Sequence, residues 1–167
     1  EYQSFISEHL AKLPIFPYLE FPPGIDVQEF TQVTGKRLYL EEIDDQLVVS
    51  LDILYDNIEV SFNQNTDQFL HYDKKNNQII RVRRNREAEE KIRDEVVLSN
   101  ITEDSPGLFY ANWESALDWL FDELPKLVDN KFEIMGEESL VRFKVRRMKP
   151  TVNMSISSEI DWFDLNL

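Results

Sequence analysis

The sequence predicts an α+β fold, a mainly antiparallel sheet with two central amphipathic helices and a short N-terminal helix. Three observations carry this expectation. Strand-like runs of β-branched, apolar and aromatic residues fill much of 37–83. The apolar spacing then lengthens to about four residues, as on one face of a helix. Strand character returns after Lys131.

At the N-terminus, Phe5, Ile6, Leu10 and Leu13 recur at helical spacing and Pro14 ends the segment. Pro14, Pro17, Pro22 and Pro23 then interleave with Phe16, Tyr18, Leu19 and Phe21, which predicts an extended connector. Residues 1–36 are accordingly read as a helix and connector, and 37–167 as the α+β domain.

Arg37 to Ile43 and Gln46 to Tyr55 flank Asp44-Asp45 and predict a hairpin. Ile58 to Phe62, Phe69 to Tyr72 and Gln78 to Arg83 extend the run as an antiparallel meander. Ala88, Ile92, Val96 and Ser99 place a helix over about 84–100. In the next helix Trp113, Ala116, Leu117, Leu120, Phe121 and Leu124 form one apolar stripe, with Asn112 as N-cap and Pro125 as its end or a kink. Lys131 to Met135, Ser139 to Met148, Val152 to Ile156 and Ile160 to Leu167 read as strands.

Hydrophobic residues make up 42% of the 167 positions, with 20 Phe, Tyr and Trp and only four Gly, a balance that supports a folded core rather than disorder. The absence of Cys excludes disulfides, thiolate metal sites and a cysteine nucleophile. No apolar run reaches the roughly 20 residues of a membrane span, and no signal-peptide pattern opens the chain. A cytoplasmic setting is expected. The chain starts at Glu1 without Met and stops at Leu167 within a strand-like run, so it is expected to be a piece of a longer protein.

The net charge is -14, but its distribution is uneven. Residues 74–93 hold eight Lys and Arg and residues 142–149 hold five, so 13 of 18 basic residues lie in two short stretches. In a strand over 141–148, Arg142, Lys144 and Arg146 share one face while Val141, Phe143 and Val145 share the other. Arg81 and Arg83 alternate with Ile80 and Val82, and Arg84 and Arg86 continue into the helix. Together with Arg147 these are the candidate contact residues for phosphates or an acidic protein face. The competing reading is charge pairing with neighbouring acids.

Catalytic patterns do not assemble. Thr34-Gly35-Lys36-Arg37 lacks the first Gly and the hydroxyl of a nucleotide P-loop, since Phe30 and Arg37 stand there. His9 and His71 do not form a metal-ligand pair, and the acidic clusters lack the order of a calcium loop. Asp161 and Asp164 would face opposite sides of a strand.

Several strings nevertheless form a pattern: Arg37-Leu38-Tyr39-Leu40, Leu51-Asp52-Ile53-Leu54-Tyr55, the Arg83 to Glu87 junction, Trp119 to Leu127, and Ile160-Asp161-Trp162-Phe163-Asp164-Leu165. Residues 37–167 resemble the accessory region that precedes the motor of bacterial Swi/Snf-family helicases. The family's "R…E" segment corresponds to Arg84 or Arg86 with Glu90, and its "FL…LP.L" string to Leu120-Phe121 with Leu124-Pro125-Lys126-Leu127. Its closing "dWFdl" strand corresponds to Asp161 to Leu165. The resemblance implies a non-catalytic domain whose partners are the motor lobes of the same chain, with duplex DNA as a further candidate. It assigns no cofactor to this region, and places ATP and magnesium in the downstream motor. Residues 1–36 have no counterpart in the resemblance.

Overall fold

The structure, a computed structural model, describes residues 26–73, 75–76 and 78–143. In chain order come β1 (Val27–Phe30), β2 (Gly35–Ile43), β3 (Gln46–Tyr55), β4 (Ile58–Ser61), β5 (Gln68–Asp73) and β6 (Gln78–Arg83). Helix α1 (Arg86–Val97), β7 (Thr102–Ser105) and β8 (Leu108–Ala111) follow. Helix α2 (Trp113–Asp118) runs through a π turn (Trp119–Glu123) into α3 (Leu124–Asp129), and β9 (Phe132–Met135) leads to a 3₁₀ turn (Glu137–Ser139).

Strand β3 is the centre of the larger sheet. Leu47, Val49, Leu51, Ile53 and Tyr55 project from one face and are fully buried, the pattern that period-two alternation demands. Residues 46–54 of β3 pair with β2, from Gly35↔Leu54 to Ile43↔Gln46. The connecting turn holds Asp44 at φ 48° and Asp45 at φ 64°, left-handed at both central positions, as a hairpin matched to strand twist requires. The second edge of β3 is shared, with β8 beside residues 47–50 and β4 beside residues 52–55. β7 extends the sheet beyond β8, and β9 joins the far edge of β2 in parallel.

β4 does not continue the expected meander. The chain crosses instead to a second, three-stranded sheet in which β6 lies between β1 and β5. The β1–β6 and β2–β9 pairings are parallel, so the sheets are mixed rather than purely antiparallel. Alternation specifies which face of a strand is buried, but not its partner, and parallel partners need long crossovers that local pattern does not reveal. The inner faces of both sheets meet α1, α2 and α3 in one core containing Leu38, Ile53, Val82, Phe109, Leu124 and Phe143. Each such side chain contributes about 1.5–3 kcal/mol relative to exposure.

Both helices start where the sequence places them. The Asn85 side chain accepts the Ala88 N–H at 3.1 Å, and Asn112 accepts that of Ser115 at 3.0 Å. Pro125 does not end the second helix. Lacking an N–H, it cannot bond the carbonyl of Phe121, and the preceding turn widens so that the Leu124 N–H reaches the carbonyl of Trp119.

The strand expected over Ser139 to Met148 is not formed in its described part. Glu42 Oε2 accepts the N–H groups of both Val141 and Arg142 at 2.9 Å, taking the donors that a sheet ladder would use. Val141 is 79% exposed while Phe143 is buried, so they do not share an apolar face. Gly136 precedes this turn at φ 84°, where a Cβ would collide with the Leu40 carbonyl. The expected N-terminal helix, the Pro-rich connector and the strands after residue 143 lie outside the described residues.

Lys131 sits at φ 70° just beyond α3, a backbone conformation that favours Gly after a helix. Lys131→Gly is therefore expected to raise stability by up to about 1 kcal/mol, read as a higher urea midpoint with an unchanged slope.

Candidate interaction surfaces

The two basic stretches lead to different environments. Arg84, immediately before the α1 cap, has a fully buried side chain, as does its partner Glu89 one turn into the helix. Arg84 Nε donates to Glu89 Oε1 and Oε2 at 2.8 and 3.0 Å. Its other nitrogens donate to the carbonyls of Phe62 (3.1 Å) and Gln64. Tyr55 completes the group: its hydroxyl donates to Glu89 Oε1 at 2.6 Å and accepts the Asn85 N–H at 2.6 Å. Burial, followed by the bond to Glu89, holds the Tyr55 phenol well above its ordinary range, which keeps that donor proton in place. Arg84 is thus a fastener between β3, the chain after β4, the end of β6 and α1, and not a surface contact. Its acid is Glu89 rather than Glu90, which instead meets Arg93 at 3.2 Å.

The exposed members of this stretch also face acids. Arg86 binds Asp67 at 2.9 Å and lies 3.5 Å from Glu89. Arg83 pairs with Glu29 on the far strand β1. Arg81 projects from β6 opposite Glu29 on β1 and Leu70 on β5. Elsewhere Arg37 joins Glu59 and Glu133 across three strands, and Arg93 joins Glu103. From the second basic stretch, Arg142 lies against the β2–β3 turn and pairs with Asp45 and, at 3.8 Å, with Glu42. The Arg142 N–H, with that of Val141, holds the Glu42 carboxyl below its usual range. Lys144, Arg146 and Arg147 lie outside the described residues.

Thr34-Gly35-Lys36-Arg37 does not form a phosphate cradle. Gly35 begins β2, and Lys36 Nζ donates to Glu95 at 2.6 Å while lying 4.2 Å from the Phe132 ring centroid. These residues do not fit a nucleotide. His71 is exposed on β5, and among the described residues no group of three or more His, Asp or Glu is placed to hold a metal. No described helix is long and apolar enough to cross a membrane.

The apolar stripe expected on the second helix divides. Ala116, Leu120 and Leu124 are buried, whereas Leu117 is only half-buried and Phe121 is 57% exposed. Trp119 takes the inner place instead, its Nε1 donating to the buried Ser99 hydroxyl at 2.8 Å. The sequence pattern had not distinguished an inward from an outward aromatic in this turn, because the π turn shifts the facing of residues around it.

A family model described as bacterial SNF2 helicase associated matches residues 3–167. The chain belongs to that family. The match reaches back to residue 3, so it includes most of the stretch that the sequence resemblance leaves without a counterpart. No curated protein and no solved structure matches this SNF2-associated chain.

Arg84→Ala is expected to cost about 3–5 kcal/mol, because it leaves the Glu89 carboxylate buried without its counter-charge. Tyr55→Phe is expected to cost about 1–3 kcal/mol through the unpartnered Asn85 N–H. Urea unfolding of each variant measures both, and a change under 1 kcal/mol for Arg84→Ala would contradict the fastening role.

A pH effect follows from Glu103, whose carboxyl is lowered by the Arg93 side chain, despite opposing burial. A lowered folded value means stability present above the ordinary carboxyl range and lost as pH falls through the folded value. Asp52 acts in the opposite sense, since burial raises its carboxyl and its charge opposes folding at neutral pH. The urea midpoint should fall on acidification, and Glu103→Gln should flatten that fall.

Proposed function

We propose that this SNF2-associated chain is a non-catalytic accessory domain that docks against, and regulates, the motor lobes of its helicase through protein contacts. The supporting observation is the pairing of arginines with acids among the described residues. Arg37, Arg83, Arg84, Arg86, Arg93 and Arg142 each have an acidic partner. Glu41, Asp44, Glu114, Asp118, Asp122 and Asp129 have none among the described residues, whose charge left over is negative. A polyanion is repelled by such a surface, whereas a basic protein face is attracted.

On this reading ATP and magnesium belong to the motor, and the chain works in the cytoplasm beside it. Arg84 drops out of the proposed contact set because it is buried. The second reading is duplex-DNA contact, to which Arg81, Arg83, Arg86, Arg142, Lys144, Arg146 and Arg147 would contribute. It is favoured by the five basic residues of 142–149, of which Arg142 alone is described.

Fluorescence anisotropy of labelled duplex DNA at low ionic strength separates the two. The chain is expected to leave the anisotropy unchanged, as is the Arg142→Glu, Arg146→Glu, Arg147→Glu variant. A salt-sensitive rise that the triple reversal abolishes would establish the DNA reading.

A further inference from the structure

Helix α2, the π turn and α3 bury one face on the sheet, and the described residues leave the opposite face uncovered. Leu117, Phe121 and Val128, from α2, the π turn and α3 in turn, are apolar side chains left out of the core. Phe121 is 57% exposed and Val128 37%, while Leu117 is half-buried. An exposed Phe flanked by aliphatic side chains is an uncommon surface for a monomer and a common anchor in interfaces. The ridge is bordered by Glu114, Asp118, Asp122 and Asp129, all exposed and none with a hydrogen-bond or ion-pair partner among the described residues.

The chemistry of this border selects the occupant. A second copy of a chain with net charge -14 would set carboxylates against carboxylates, and nucleic acid or an anionic bilayer would be repelled likewise. A protein surface with an apolar cleft edged by Lys and Arg satisfies both the ridge and the four carboxylates that are unpaired among the described residues. Opposite charge around an apolar centre is also the arrangement that fixes register at an interface.

We propose that the Leu117–Phe121–Val128 ridge is the docking element of this domain, inserting into a basic-rimmed apolar cleft on the motor lobes. The inference rests on the docking reading above and deepens it by naming the surface. Phe121 is the anchor, the π turn before Pro125 presents it outward, and Asp118 and Asp122 supply the polar border.

Titration calorimetry of the whole chain against the motor lobes of its helicase tests this. The variants are Phe121→Glu, Asp118→Lys with Asp122→Lys, and a control, Ile43→Glu. Ile43 is also exposed (48%) but lies at the opposite end of β2 from the Lys36↔Phe132 pairing that follows α3. Both ridge variants should weaken binding by roughly tenfold or more while the control binds as the native chain does. Urea midpoints verify that each variant is folded, and the double Lys variant changes only exposed side chains.

If the native chain binds and both ridge variants bind equally well, the ridge is not the docking element although docking itself stands. Loss of binding in the control to the same degree as in the ridge variants also overturns the assignment. If the native chain does not bind the motor lobes at all, the docking reading fails and the ridge assignment fails with it.

Discussion

The Arg84–Glu89 pair is the constraint around which the two sheets are joined. Burying two charges costs several kcal/mol per ion unless the pair is close and its remaining hydrogen-bonding groups are satisfied. Here both conditions hold. Glu89 receives the guanidinium of Arg84 and the hydroxyl of Tyr55, and the rest of Arg84 is occupied by the Phe62 and Gln64 carbonyls. No buried side-chain nitrogen or oxygen among the described residues lacks a partner. Because the contributing groups come from β3, the chain after β4, the β6–α1 junction and α1, an incorrect arrangement of any of them strands a charge in the core. Geometry of this kind specifies the crossover between sheets, which apolar burial, being non-directional, does not.

The same economy of charge shapes the surface. Arginines are used to hold strands together: Arg83, from the first basic stretch, links β6 to Glu29 on β1, and Arg37, outside both stretches, links β2 to Glu59 and Glu133 on β4 and β9. Among the described residues, Arg37, Arg83, Arg84, Arg86, Arg93 and Arg142 are all paired with acids.

Much of the fold was legible in the sequence because local rules agreed with tertiary need. Asp44-Asp45 marked the hairpin, Asn112 marked the cap of the second helix, and the alternation of Leu47 to Tyr55 marked the central strand. Strands β1, β7 and β8 were not anticipated, since four-residue strands such as Thr102–Ser105 carry too few apolar positions to show a period. The strand expected after Ser139 failed for a different reason: a single distant carboxylate, Glu42, captures two backbone donors, and sequence spacing does not register such a contact. Of the candidate contact residues, Arg84 has a buried side chain, a placement that depends on Tyr55 and Glu89 together and that sequence spacing does not register. Phe121 was recognised as apolar, but its outward facing follows from the π turn.

Hydrogen–deuterium exchange of the chain with and without its motor lobes, and with and without duplex DNA, addresses docking through the helix ridge most directly. Added motor lobes should slow exchange within Trp113–Asp129, and added DNA should change nothing. Protection around Arg81–Arg86 and Arg142 on adding DNA, with the helix unaffected by the motor, would contradict it.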